Sequence, residues 1–356
     1  MSDFQPKARA TLIGSLPIKD HDEALRIVMK HTPDIPLWVQ LPVYPGEGLL
    51  TQFVSGLPGL CVSDDRMILD SSLPAFEEQL LEFYEEYLAV TEGITPLETS
   101  RFVLTSKSAP GFFLLRDALT AAPPPFAIKG QITGPVTLAI GICDQNKQAV
   151  FYDERLLDAV TKTIALKAKW QAAQLKQFNR PVIIFFDEPG LAGFGSSALT
   201  GVSKEAVRKV LSEVIDQVHQ EGGLAGVHVC ANTDWSLILD SPADILSFDA
   251  YGYFDRLILY AKELAAFLKE KKTLAWGIVP TANKEDIERE TAEALVQKWK
   301  EQAGQVEALG IDATQLLAQS IITPSCGTGA IDLKHALKVL ELNRDVSASL
   351  QGLGNK

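Results

Sequence analysis

The chain is poor in cysteine and in positive charge, and it has no long apolar run; each shortage removes a class of function. Four cysteines in 356 residues (Cys61, Cys143, Cys230 and Cys326) are too few for a disulfide framework, and a reducing compartment would keep them as thiols. Lys and Arg number 33 against 45 Asp and Glu, a formal net charge of −12, so nucleic acid would be repelled over most of the surface. No apolar stretch approaches the roughly 20 residues that cross a bilayer. The opening residues, MSDFQPKARA, lack the apolar core of a secretory signal, so the expected location is the cytoplasm, without a membrane partner. What is present suits an ordinary globular protein: 46% hydrophobic and 22% charged residues, in a chain long enough to bury a substantial core.

Short β-rich runs recur along the chain, at 10–17, 36–42, 126–135, 181–189, 224–230, 243–251, 273–280 and 315–326. They are continuously apolar rather than alternating, as in strands covered on both faces. Segments of helical periodicity separate most of them, notably 150–178, 203–220 and 284–308, the last with Asn283 as N-cap and Ile287, Leu295, Val296 and Trp299 on one face. Strand, helix, strand repeats imply parallel pairing, and eight such units predict a closed (β/α)8 barrel, an α/β fold, in one domain. The final strand is ambiguous, because 311–322 also reads as a short helix. The interval 43–125 is too long for a plain connection; with its acidic helix at about 75–93 it reads as insertions at the barrel mouth.

In such a barrel the C-terminal ends of the strands face the pocket, so the strand ends name the candidates. They are Ile13, Gly14 and Ser15; Thr133, Gly134 and Pro135; Asp187, Glu188 and Pro189; His228 and Cys230; Asp249; and Thr323 to Gly327. His228 and Cys230, two apart on a strand, point to the same side. With Cys326 and Asp249 they offer N, S, S and O donors, a set that suits tetrahedral Zn2+. Taken singly these residues prove little, since a lone cysteine is usually core and His-X-Cys arises by chance.

The segments "IGSLP", "IKGQITGPVTLA", "FFDEPGLAG", "HVC", "ADILSFD" and "TPSCGTG", in this order over about residues 10–345, resemble the C-terminal catalytic barrel of cobalamin-independent methionine synthase. The larger superfamily includes uroporphyrinogen decarboxylase and corrinoid-dependent thiol methyltransferases. The resemblance implies that His228, Cys230 and Cys326 bind zinc, with Asp249 standing where the family's methionine synthases have a glutamate ligand. It implies that the Ile13 to Ser15 backbone and the Ser15 hydroxyl hold the carboxylate of homocysteine and that Asp187 takes its ammonium group. Glu188 would be a neighbouring polar contact, placed with Asp187 as a catalytic candidate, and Glu47 a second ammonium contact. The remaining histidines, His21, His31, His219 and His335, read as surface or helix residues without matching partners.

Two features depart from the family pattern. The folate-using enzymes have an aromatic residue after the TGPVT segment and a histidine shortly after the seventh strand; here the corresponding residues are Leu138 to Gly141 and "IVPTANKED". A methyl group leaving an amine needs a proton, whereas one leaving cobalt does not. The expectation is therefore a single-barrel methyltransferase that gives homocysteine a methyl group from methylcobalamin or a methylated corrinoid protein. Competing readings are a corrinoid-linked methyltransferase acting on another thiol such as coenzyme M, a metal-free decarboxylase of the uroporphyrinogen type, and a barrel that binds without turnover. The decarboxylase would demand arginines near the mouth, and the first 60 residues contain only Arg9 and Arg26. Cys61 and Cys143 lie outside every motif and read as structural.

Overall fold

The computed structural model describes residues 4–63, 66–196 and 199–353. Among these the strands are β1 (Arg9–Ala10), β2 (Leu60–Ser63), β3 (Arg66–Leu69), β4 (Ile128–Thr133), β5 (Cys143–Asp144), β6 (Val182–Asp187), β7 (Leu224–Val229), β8 (Ile245–Phe248), β9 (Thr273–Val279) and β10 (Ser320–Pro324). Seven run parallel in one sheet, in the order β1, β10, β9, β8, β7, β6, β4. The eighth stave is the 36–42 run. It forms no regular strand, because Pro36 and Pro42 bracket it and supply no N–H to a ladder. Even so, Leu37 bridges Lys129 on one side and Gln40 bridges Ser15 on the other, both in parallel. These bridges close the sheet into a (β/α)8 barrel.

Residues two apart on a stave share a face, and that parity explains where the chemistry lies. Ile35, Ala127, Ile183, Phe185, Ile245, Ala275 and Ile321 form one buried apolar cluster inside the barrel. Two residues further along their staves come Lys129, Asp187, Ser247 and Thr323, all buried. The interior is thus apolar at its base and polar toward its mouth. Outward-facing Val227, Val229, Leu246 and Phe248 join the larger core beneath the helices.

The helices begin where their caps put them. Asp153 accepts from the N–H of Arg155 and Leu156 to start Glu154–Lys176, and Ser203 accepts from Ala206 N–H to start Lys204–Gln220. The expected helix over 284–308 is two helices, Lys284–Arg289 and Ala292–Glu307; Asn283 caps the first, while extended Glu290 and the Thr291 cap break the run. The ambiguous 315–326 run holds both structures, the end of the helix Ala313–Ala318 and then β10. Within 43–125 the acidic helix is present as Phe76–Thr91, and β3 pairs with β2 on one side and with β5 on the other in a small separate sheet. The helix Pro110–Ala121 instead packs against His21–His31 in the outer ring, so that part of the interval is an ordinary barrel helix rather than an insertion. Among the described residues no helix is long and apolar enough to cross a membrane. All four cysteines are free thiols, and Cys61 and Cys143 lie on the small sheet.

Candidate metal and substrate site

The tips of β7 and β10 bring together residues nearly 100 positions apart in sequence. One donor atom each from His228, Cys230 and Cys326 lie within 4.8 Å of one another. His228 is buried, and its Nδ1 lies 2.9 Å from the Ser247 hydroxyl on the neighbouring strand β8. Its Nε2 is buried and makes no hydrogen bond of regular geometry, with the sulfurs as its polar neighbours. A buried ring nitrogen so placed is costly, unless its lone pair has another use. An imidazole oriented through one nitrogen by a hydroxyl, with the other nitrogen beside two sulfurs, is a donor set that could hold a metal ion.

The two sulfurs are electrostatically unequal. The Cys230 thiol is pulled well down, first by a hydrogen bond from Cys326 and then by the imidazole, while Cys326 is pushed up because it holds the proton of that bond. The arrangement favours a thiolate on Cys230, the form a metal binds.

These side chains open on a cavity of about 340 Å3, lined also by Ile13, Gly14, Ser15, Gln40, Glu47 and Asp187. That volume suits a small metabolite. Ser15 sits against the loop after β10: its carbonyl accepts from Thr328 N–H at 3.0 Å and its Oγ from Gly329 N–H at 3.2 Å. Gly327 is required there, since a Cβ on it would collide with Ser15 Oγ. The amide N–H groups of Gly14 and Ser15 meet no acceptor among the described residues. Asp187, in register with His228, has its Oδ1 buried and without a partner, and burial lifts its carboxyl to about 6.

Glu47 lies on the cavity wall, reached by the turn Pro45–Glu47, with both oxygens engaged: Oε1 with His21 Nε2 at 2.7 Å and Oε2 with Leu41 N–H at 2.9 Å. His21, expected to stand alone, is therefore partnered, and its ring stacks on Tyr44. His219 and His335 also have carboxylate partners, Asp244 for the first and Asp332 for the second.

Two expected site residues have other partners: Glu188 lies off the cavity wall, and Asp249 stands near His228 and Cys230 without joining their three-donor group. Glu188 is fully buried and does not line the cavity; its carboxylate accepts from the N–H groups of Val136 and Thr137 and from the Thr137 hydroxyl, at 2.6–3.0 Å. It holds the start of the helix Pro135–Gly141, and a Cβ on Gly134 would strike it. Asp249 lies outside the three-donor group; it caps the helix Ala250–Leu257 by accepting from Gly252 N–H at 2.8 Å, and burial lifts its carboxyl to about 6. A strand-end carboxylate followed at once by a helix is drawn to that helix's bare N–H groups.

Sequence reasoning passed over Ser247 and Lys129. Ser247 had a signal, two residues before Asp249 on one strand and so of the same parity. Lys129 had a stronger one, a lone cation in an apolar barrel strand. Its ammonium donates to Ile13 O at 2.7 Å and to Gln131 Oε1 at 3.2 Å, and burial pulls it down to about 7.

No protein-family model matches the chain, and no curated protein matches it. Among solved structures, a B12-independent methionine synthase from Shewanella sp. W3-18-1, in complex with selenomethionine, is similar with a TM-score of 0.56 and 17% identity, over 96% of this chain and 98% of that one. At that identity the likeness is one of fold. A GH20 catalytic module of a pneumococcal exo-β-D-N-acetylglucosaminidase follows with a TM-score of 0.47 and 10% identity, over 96% of this chain and 85% of that one. A tryptophan synthase from M. tuberculosis, in its aminoacrylate-bound form, has a TM-score of 0.30 and 13% identity, over 68% and 88%.

Proposed function

We propose that the chain is a zinc-dependent methyltransferase that gives a methyl group to the thiol of homocysteine and so forms methionine. The observation that carries this reading is the buried His228 Nε2 beside the sulfurs of Cys230 and Cys326, on the wall of a cavity of small-metabolite size. His228, Cys230 and Cys326 would hold the ion. Zinc bound there would supply the charge that ionises an incoming thiol, whose free pKa near 8.5 leaves it mostly protonated at neutral pH.

The chain's own residues bind and orient. Asp187 and Glu47 offer carboxylates to an ammonium group, and Asp187 Oδ1 has no competing partner. Gly14 N–H, Ser15 N–H and the Ser15 hydroxyl offer donors to a carboxylate. Holding both ends of the amino acid fixes the third, the thiol, and such positioning is worth several powers of ten in rate.

The proposed donor is methylcobalamin or a methylated corrinoid protein. Among the residues lining the cavity His228 is the only histidine, and its Nδ1 is taken by Ser247, so no free imidazole stands ready to protonate a departing amine. After β9, where a histidine would be sought, Thr281 is instead bound to the Ser325 hydroxyl. The likeness to a B12-independent enzyme extends to fold and leaves the donor to experiment. Zinc-loaded protein and homocysteine are incubated with methylcobalamin and with methyltetrahydrofolate separately; methionine is expected from the first, and methionine from the folate alone refutes the donor.

The wall contains no Lys or Arg. That disfavours a tetrapyrrole polycarboxylate, which calls for arginines, while the unpartnered Asp187 Oδ1 favours an amino acid's ammonium over coenzyme M, which has none. Arg9, one of two near the N-terminus, pairs with Asp34. Coenzyme M in place of homocysteine is expected to give no methylated product.

A further inference from the structure

The cavity wall poses an electrostatic problem. It carries the carboxylates of Glu47 and Asp187 and the thiols of Cys230 and Cys326, and among the described residues it has neither Lys nor Arg. An anionic ligand end set against Ile13, Gly14 and Ser15 would meet a negative surface. One layer below lies Lys129, fully buried on β4, its ammonium 2.7 Å from the Ile13 carbonyl oxygen. It also lies 3.2 Å from Gln131 Oε1 and 4.5 Å from the Phe185 ring centroid, and it interacts through space with the Asp187 carboxylate. Two oxygen acceptors and a π-face all seek protons on that nitrogen, and none offers one to it. These acceptors and the Asp187 charge favour the ammonium, against the burial that pulls its pKa down. A buried charge without a directly bonded carboxylate is costly, and the neighbouring interior layer shows that Ile, Phe and Ala fill such space.

We infer that Lys129 is the positive pole of the ligand site, a positioning residue that fixes the Ile13 carbonyl and makes the Gly14 end of the cavity attractive to a carboxylate. The Ile13 to Gly14 peptide is one conjugated unit, so drawing electron density onto its oxygen makes its N–H a stronger donor. That N–H has no acceptor among the described residues, and the Ser15 hydroxyl, already accepting from Gly329, keeps its proton to give. The inference rests on reading this end as the carboxylate end in the proposed function and adds the residue that offsets the negative wall.

The test is calorimetric binding to the zinc-loaded full chain and its Lys129→Met and Lys129→Gln variants, with thermal melts to confirm folding. The ligands are L-methionine, butyrate and methylthiopropylamine, which is methionine without its carboxylate. Lys129→Met is expected to weaken L-methionine by about tenfold or more. The amine should stay within about twofold. Lys129→Gln, which keeps a donor to Ile13 without the charge and guards against a misfolded first variant, should lose methionine affinity in the same selective way. Equal losses for acid and amine, no loss at all, or a wild type that binds none of the carboxylates overturns the inference. Lys129-dependent carboxylate binding without methyl transfer to homocysteine would sink the proposed reaction alone; methyl transfer with binding indifferent to Lys129 would sink this inference alone.

Discussion

Ser247 holds His228: its hydroxyl lies 2.9 Å from Nδ1, on the adjacent strand at the register position paired with His228. That contact leaves Nε2 as the free nitrogen of a buried ring. With Ser247 accepting from Nδ1–H, the lone pair is placed on the side of the two sulfurs. Ser247→Ala is therefore expected to weaken zinc binding by roughly 10- to 100-fold while leaving the fold intact. Competition against a colorimetric chelator measures it; unchanged affinity would show that the ring needs no such support.

Asp249 separates two roles cleanly. As the cap of Ala250–Leu257 rather than a member of the three-donor group, it should affect stability and not metal content. Asp249→Ala is expected to cost about 1 kcal/mol in urea unfolding, with zinc stoichiometry unchanged. Loss of zinc in that variant would return Asp249 to the ligand set.

Glu188 satisfies three donors at the start of Pro135–Gly141. Glu188→Ala leaves two buried N–H groups bare and should destabilise the fold by roughly 2 to 4 kcal/mol. The affinity of the folded fraction for zinc and for homocysteine should remain. A variant of wild-type stability that has lost turnover would make Glu188 a catalytic residue after all.

The base of the barrel carries a pH-sensitive contact. His219 Nε2 meets Asp244 Oδ2 at 2.7 Å, and the His219 pKa is raised above its usual 6.5, chiefly by that hydrogen bond, against the opposing effect of burial. A histidine raised in the folded state stabilises fully below its unfolded pKa and loses that contribution as pH rises through the folded value. The stability gap between wild type and His219→Gln should therefore be widest below pH 6.5 and shrink above it. Urea midpoints across pH 5 to 9 would show this; a gap that grows with pH would reverse the assignment.

The sequence was most legible where one physical rule acted alone. Parity along a strand placed His228 and Cys230 on one side, and their convergence with Cys326 followed from the barrel. It was least legible where two rules competed. Glu188 and Asp249 both read as strand-end carboxylates facing a pocket, but each also precedes or neighbours a helix start whose unpaired N–H groups claim an acceptor. The 36–42 stave kept its place although its prolines removed its ladder. His21 looked solitary because its partner, Glu47, comes from a separate loop in the interval where local patterning is weakest.

The most direct measurement is metal analysis and X-ray absorption on the purified wild type and its Cys326→Ser variant. One zinc per chain is predicted for the wild type, with two sulfur neighbours and one imidazole nitrogen, and a large loss of zinc in the variant. A wild type that takes up no zinc, or binds it without sulfur, would contradict the account at its root.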